Sequence, residues 1–114
     1  MGMGYDVRIV RDGDARIPVG EWVAYVESDP DLHFAEEGKP YYTPHLALLP
    51  RGPEDPEGWP WLWWSGGNIS AKYPQEPTLK KMIQVAAHFG ATVVGDEGES
   101  YRLDDEGKIA VEGF

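Results

Sequence analysis

Hydrophobic positions change period several times along the chain, and each change marks an element. Tyr5, Val7 and Ile9 alternate with polar residues, which predicts a half-buried strand closed by the turn residues Asp12-Gly13-Asp14. Val19, Trp22, Val23 and Val26 then recur at i, i+3, i+4 and i+7, the stripe of a helix over 18–28. Pro18 suits its first turn and Pro30 ends it. Residues 30–41 show no period and predict a loop with Leu32 or Phe34 tucked inward. Tyr42 to Leu49 predicts a strand, at an edge or with a bulge because of Pro44. Residues 50–58, rich in Pro and Gly, predict a loop.

The second half is more regular. Two strand-like runs, 59–64 and 69–73, flank Ser65-Gly66-Gly67-Asn68 and predict a β-hairpin. On that strand Trp59, Trp61 and Trp63 point one way, and Leu62 and Trp64 the other. Leu79, Met82, Ile83, Ala86 and Ala87 predict a helix introduced by Glu76-Pro77 and stopped by Gly90, with Lys80 and Lys81 toward solvent. Strands over 91–94, 99–103 and 108–111 follow, separated by Gly-containing turns. The order β-α-β-β-β-α-β-β-β predicts one α+β domain over 1–114. Its sheet is mostly antiparallel, with two helices on one face.

Composition narrows the function. The 114 residues include no Cys, so disulfides and thiolate metal sites are excluded. No apolar run approaches the roughly 20 residues that span a bilayer. The first residues lack the basic and apolar regions of a signal peptide, which predicts a cytoplasmic protein. Twenty acidic against ten basic side chains give a net charge of −10. The acid is blocked: residues 21–40 hold six acids and one base, and residues 91–114 seven acids and two bases. Such a field repels nucleic acid and steers a basic protein toward the chain.

Certain residues resemble a known group. Met3-Gly-Tyr-Asp-Val7, Glu21-Trp22, Tyr25-Val26, Ser28-Asp29-Pro30 and Trp64 with Gly67-Asn68-Ile69 form one set. Lys80-Lys81-Met82, Ala86, Gly90-Ala91, Val94-Gly95-Asp96, Gly98-Glu99 and Tyr101 form a second. Together they resemble a group of small, mostly uncharacterised bacterial proteins across roughly residues 3–101. The resemblance supports the 18–28 helix and implies a bacterial cytosolic protein, with no established reaction to carry over.

Candidate chemistry is sparse. His33, His45 and His88 lack zinc-site spacing, and no nucleophile elbow or phosphate loop is present. The turn acids 95–99 and 104–107 lack the calcium-loop signature and read as solvated. No catalytic residue, metal or cofactor is therefore assigned. Four of the five Trp fall within residues 59–64, more aromatic surface than one strand face buries. The expected function is non-enzymatic binding of a basic protein, as in a small immunity or antitoxin-like inhibitor of a toxin. Its surface comprises Trp59, Trp61 and Trp63 with the carboxylates of Glu36, Glu37, Asp96, Glu97 and Glu99. The alternative is a sugar or small ligand stacked on the Trp face. A homodimer is also possible, through isologous pairing of the Trp-bearing strand with itself.

Overall fold

The computed structural model describes residues 5–11, 16–39, 42–49, 61–72 and 74–113. Trp59, the 50–58 loop and the 12–14 turn lie outside the described residues. The alternation at the start forms β1 (Asp6–Val10), with Val7 and Ile9 buried. Pro18 caps α1 (Val19–Ser28), and Trp22 and Val26 of its stripe enter the core. After it come β2 (His33–Phe34), β3 (Leu46–Leu48), β4 (Trp61–Ser65) and β5 (Asn68–Lys72). Next is α2 (Glu76–Phe89), with Pro77 in its first turn and Gly90 left-handed at φ 64° behind it. The chain ends in β6 (Thr92–Gly95), β7 (Ser100–Leu103) and β8 (Ile109–Glu112).

Among the described residues eight strands join one antiparallel sheet in the order β2-β3-β4-β5-β1-β6-β7-β8. The predicted α+β architecture is the observed one, with the first strand at the centre. Register sorts the side chains into two faces. Val7 opposes Ala71 and Gly95, and Ile9 opposes Ile69 and Val93. These residues, with Ala47, Leu62 and Trp64, pack against Trp22 and Val26 of α1 and Met82, Val85 and Phe89 of α2. The opposite face carries Arg8, Ser70 and Lys72 at the centre and Trp61, Trp63, Leu46 and Leu48 toward β3. No helix among the described residues is long and apolar enough to cross a membrane.

Four expectations change. The loop over 30–41 contains β2, which is two residues long and too short to show a period. The 42–49 strand shrinks to Leu46–Leu48. Pro44 sits in the turn before β3, and β3 lies inside the sheet rather than at its edge. The Trp-bearing β4 is paired on both sides, by β3 and β5, so it has no free edge for isologous pairing. The buried stripe of α2 is Thr78, Lys81, Met82, Val85, Ala86 and Phe89, while Ala87 is exposed. Lys81 therefore points inward, and its charge meets Asp29 at 2.9 Å and Asp31 at 3.1 Å.

Gly66 and Gly67 close the β4–β5 hairpin at φ 64° and 100°, the type I′ geometry that matches strand twist. Gly67 has a second reason to be glycine. A Cβ there would stand 2.6 Å from the Cβ of Arg16. That close approach brings Ile17 N–H to Gly67 O at 3.0 Å and ties the entry of α1 to the hairpin.

Candidate functional site

Aromatic residues gather on both faces of the β2–β3–β4 end of the sheet, and two of their indoles hold the short Pro44-His45 segment. Trp22 Nε1–H donates to His45 O at 3.0 Å, and Trp63 Nε1–H donates to Pro44 O at 3.0 Å. Trp64 Nε1–H donates to Ile17 O at 2.7 Å. An indole has one donor, and burial without a partner costs free energy, so each ring is committed by its N–H to a backbone carbonyl. Trp22 and Trp64 belong to the main core. Trp61 and Trp63 are half-buried on the opposite sheet face, over Ala35, Leu46 and Leu48. Strand alternation thus turns Trp64 away from Trp61 and Trp63, as the sequence indicates.

The segment the indoles hold is strained. His45 has φ 67°, the only non-glycine residue with positive φ among the described residues. Histidine is among the types enriched there, and such strain concentrates at functional sites. Its ring stands edge-on to Trp64 with centroids 5.4 Å apart. His45→Val, which forces a β-branched residue into this conformation, is expected to cost about 1–2 kcal/mol. His45→Gly relieves the backbone, so urea unfolding of the two variants separates backbone strain from the ring contact.

Beside this turn a groove of about 290 Å³ opens between α1 and residues 34–37 and 42–45. Val23, Phe34, Ala35, Tyr42, Pro44 and His45 line it, and Glu37 stands among them. Tyr42 is one of the two large hydrophobic side chains left exposed among the described residues. Among the described residues Glu37 has no cationic partner. Glu36 has, among the same residues, only Lys39 as an ionic partner, at 4.0 Å and in solvent. Exposed carboxylates beside aromatic walls accept a cation whose stem is apolar. Of the groove residues the sequence points to Glu37 alone; the others escape it because 30–41 has no period and the pattern from Tyr42 to Leu49 reads as a strand. The one usable signal was a Pro-His pair behind two tyrosines.

The remaining predicted acids lie elsewhere. Asp96 and Glu97 occupy the β6–β7 turn, three strands beyond β4, so they do not join Trp61 and Trp63 in one patch. Asp96 accepts from Asp6 N–H at 2.8 Å and Arg8 at 2.9 Å. Those bonds, the backbone one first, hold its carboxyl below the usual range. Glu99 corrects the reading of a solvated turn: it is 1% exposed. Tyr101 O–H donates to its Oε2 at 2.5 Å, Tyr5 O–H donates to the same oxygen, and Glu97 N–H donates to Oε1 at 3.2 Å. Tyr101 and then Tyr5 hold the Glu99 carboxyl below its usual range. Burial, then the bond to Glu99, raises the Tyr101 phenol.

A second buried charge cluster joins the helices. The side chains of Lys81 and Asp29 are 10% and 8% exposed. Burial pushes the Lys81 ammonium down, but the bonds to Asp29 and Asp31 outweigh it and leave the group raised. Burial likewise opposes the Asp29 charge, and bonds from Lys81, Asp31 N–H and Tyr25 leave it lowered. No group of three or more His, Asp or Glu among the described residues is arranged to hold a metal ion. The chain matches no protein-family model, no curated protein and no solved structure.

Proposed function

We propose that this chain is a non-enzymatic, acidic protein-binding domain of the immunity or antitoxin-like kind, acting in the bacterial cytoplasm on a basic partner. The observation that supports it best is the groove beside His45. It combines aromatic walls, a rim held by indole hydrogen bonds and a carboxylate without a cationic partner among the described residues. An Arg or Lys side chain of the partner lays its stem on Phe34 and Tyr42 and presents its charge to Glu37. The net charge of −10 draws such a partner in, and the desolvated aromatic contact sets its residence time. Relative to the sequence reading, the anchor moves from the Trp face to the groove, and Glu36 and Glu37 keep their role.

The test starts with capture from the source organism's lysate at low salt and at about 0.5 M salt, where charge–charge steering is screened. With the captured protein purified, E36Q/E37Q is expected to slow association several-fold, and Tyr42→Ala to speed dissociation. An affinity unmoved by salt and by both variants sinks the proposal. A second reading has its own support: Trp61 and Trp63 remain half-exposed beside Ser70 and Arg8, a stacking face for a sugar ring. Saturable Trp fluorescence quenching by a sugar would favour it.

A further inference from the structure

We infer that β8 is a self-pairing edge and that two copies of the chain join through it into one continuous sheet. β8 ends the sheet opposite to β2, beyond the strands that α2 covers. Val111 on it is 47% exposed, the largest value for a big hydrophobic side chain among the described residues. Asp104 N–H donates to Lys108 O, so Lys108, Ala110 and Glu112 direct their backbone groups at β7. Alternation then turns the N–H and C=O of Ile109 and Val111 outward, and four backbone groups form an open ladder.

The sequence of that edge, Lys108-Ile109-Ala110-Val111-Glu112, is complementary to itself when read backwards. Antiparallel pairing about Ala110 sets Ile109 opposite Val111 of the second copy, twice, and uses all four outward groups. The same register sets Lys108 opposite Glu112 of the second copy, also twice. The neighbouring registers, centred on Ile109 or Val111, lose both charge pairs. Among the described residues of one chain Lys108 has only Glu106 as an ionic partner, at 3.8 Å and largely in solvent. Glu112 is already aligned by Arg102 at 2.8 Å and would meet the incoming ammonium as a fixed acceptor. The two-fold axis satisfies the isologous requirement that each contact occur twice. The occupant is therefore a second copy rather than an arbitrary strand. Both grooves stay free, since each lies at the far end of its own half-sheet.

Sedimentation of the full chain from about 10 µM to about 1 mM, the range of a weak self-association, tests this. Wild type is expected to shift from monomer to dimer. K108E and E112K each place like charges opposite one another twice, and each should weaken dimerisation about tenfold. Both positions are exposed, so circular dichroism should show unchanged folds. Mixing the two variants restores opposite charges at every pair, and a mixed dimer should form more tightly than either variant alone. The swap K108E/E112K should recover wild-type behaviour. A chain monomeric throughout overturns the inference. So do single variants that dimerise like wild type, and so does a mixture that forms no mixed dimer.

Discussion

Lys81→Ala will lower the free energy of unfolding by about 3–5 kcal/mol at neutral pH, the range for removing one partner of a buried ion pair. The loss comes less from the missing attraction than from what stays behind. Asp29 is 8% exposed, fixed at the C-terminus of α1, and accepts from Asp31 N–H at 2.9 Å, so it cannot swing into water cheaply. Asp31 is largely solvated and needs no partner. K81M/D29N should recover more than half of the loss, because the buried charge is gone and an amide oxygen still accepts from Asp31. Urea unfolding of wild type and of the two variants checks this; equal stabilities for K81M/D29N and Lys81→Ala would refute the buried-charge explanation. The pH dependence has two limits. Asp29 is lowered in the folded chain, so its contribution is present above its unfolded value of about 3.9 and fades as pH falls through the folded one. Lys81 is raised, so its contribution is present below about 10.4 and fades as pH rises through the folded value. The gap between wild type and Lys81→Ala should therefore be widest between these limits.

That same lysine shows where sequence reasoning reaches and where it stops. The ends of α2 were legible because Pro77 and Gly90 are local signals, and Gly90 takes the left-handed conformation such a stop requires. The buried stripe was displaced by about one residue because a lysine counts as polar in any periodicity. What makes Lys81 an inward residue is a pair of aspartates some fifty positions away, and no window contains both. Glu99 is a different case. It has the parity of Tyr101 along β7, and Tyr5 has the parity of Val7, so alternation placed all three on the helix side. The Gly-Asp-Glu-Gly composition argued for solvent and prevailed, although the strand pattern held the better answer. The backbone of His45 left no trace in the sequence, since the bonds that hold its turn come from the indoles of Trp22 and Trp63 and the backbone N–H of Trp64, all far from it along the chain. The groove depends on that turn, so it emerges only with the tertiary structure. The separation of Trp61 and Trp63 from Trp64, by contrast, required nothing beyond the two-residue repeat of a strand.

Gly95→Ala will destabilise the chain by about 1–3 kcal/mol through overpacking. Gly95 carries no left-handed strain. A Cβ on it would stand 2.0 Å from Glu99 Oε2 and 2.5 Å from its Cδ. A free glutamate would move aside, but this carboxylate is gripped by Tyr5, Tyr101 and Glu97 N–H. The conflict is thus between a methyl group and a hydrogen-bond cluster, and a double-mutant cycle isolates it. In a Glu99→Ala background the same Gly95→Ala change should cost little, because the space is vacated. An equal cost in both backgrounds would show that the cluster is not what excludes a side chain at 95. Acid titration gives an independent reading. Because Glu99 is held below the usual glutamate value of about 4.3, the folded chain binds fewer protons than the unfolded one in that region. Its contribution is complete above that value and disappears as pH falls through the lower, folded one. Gly95→Ala pushes the carboxylate off its donors, so the acid limb of its stability curve should flatten toward that of Glu99→Ala. Gly98→Ala supplies the contrast. Gly98 has φ 87° and a Cβ on it would meet nothing within 4 Å, so its cost is backbone strain alone and its acid limb should run parallel to wild type.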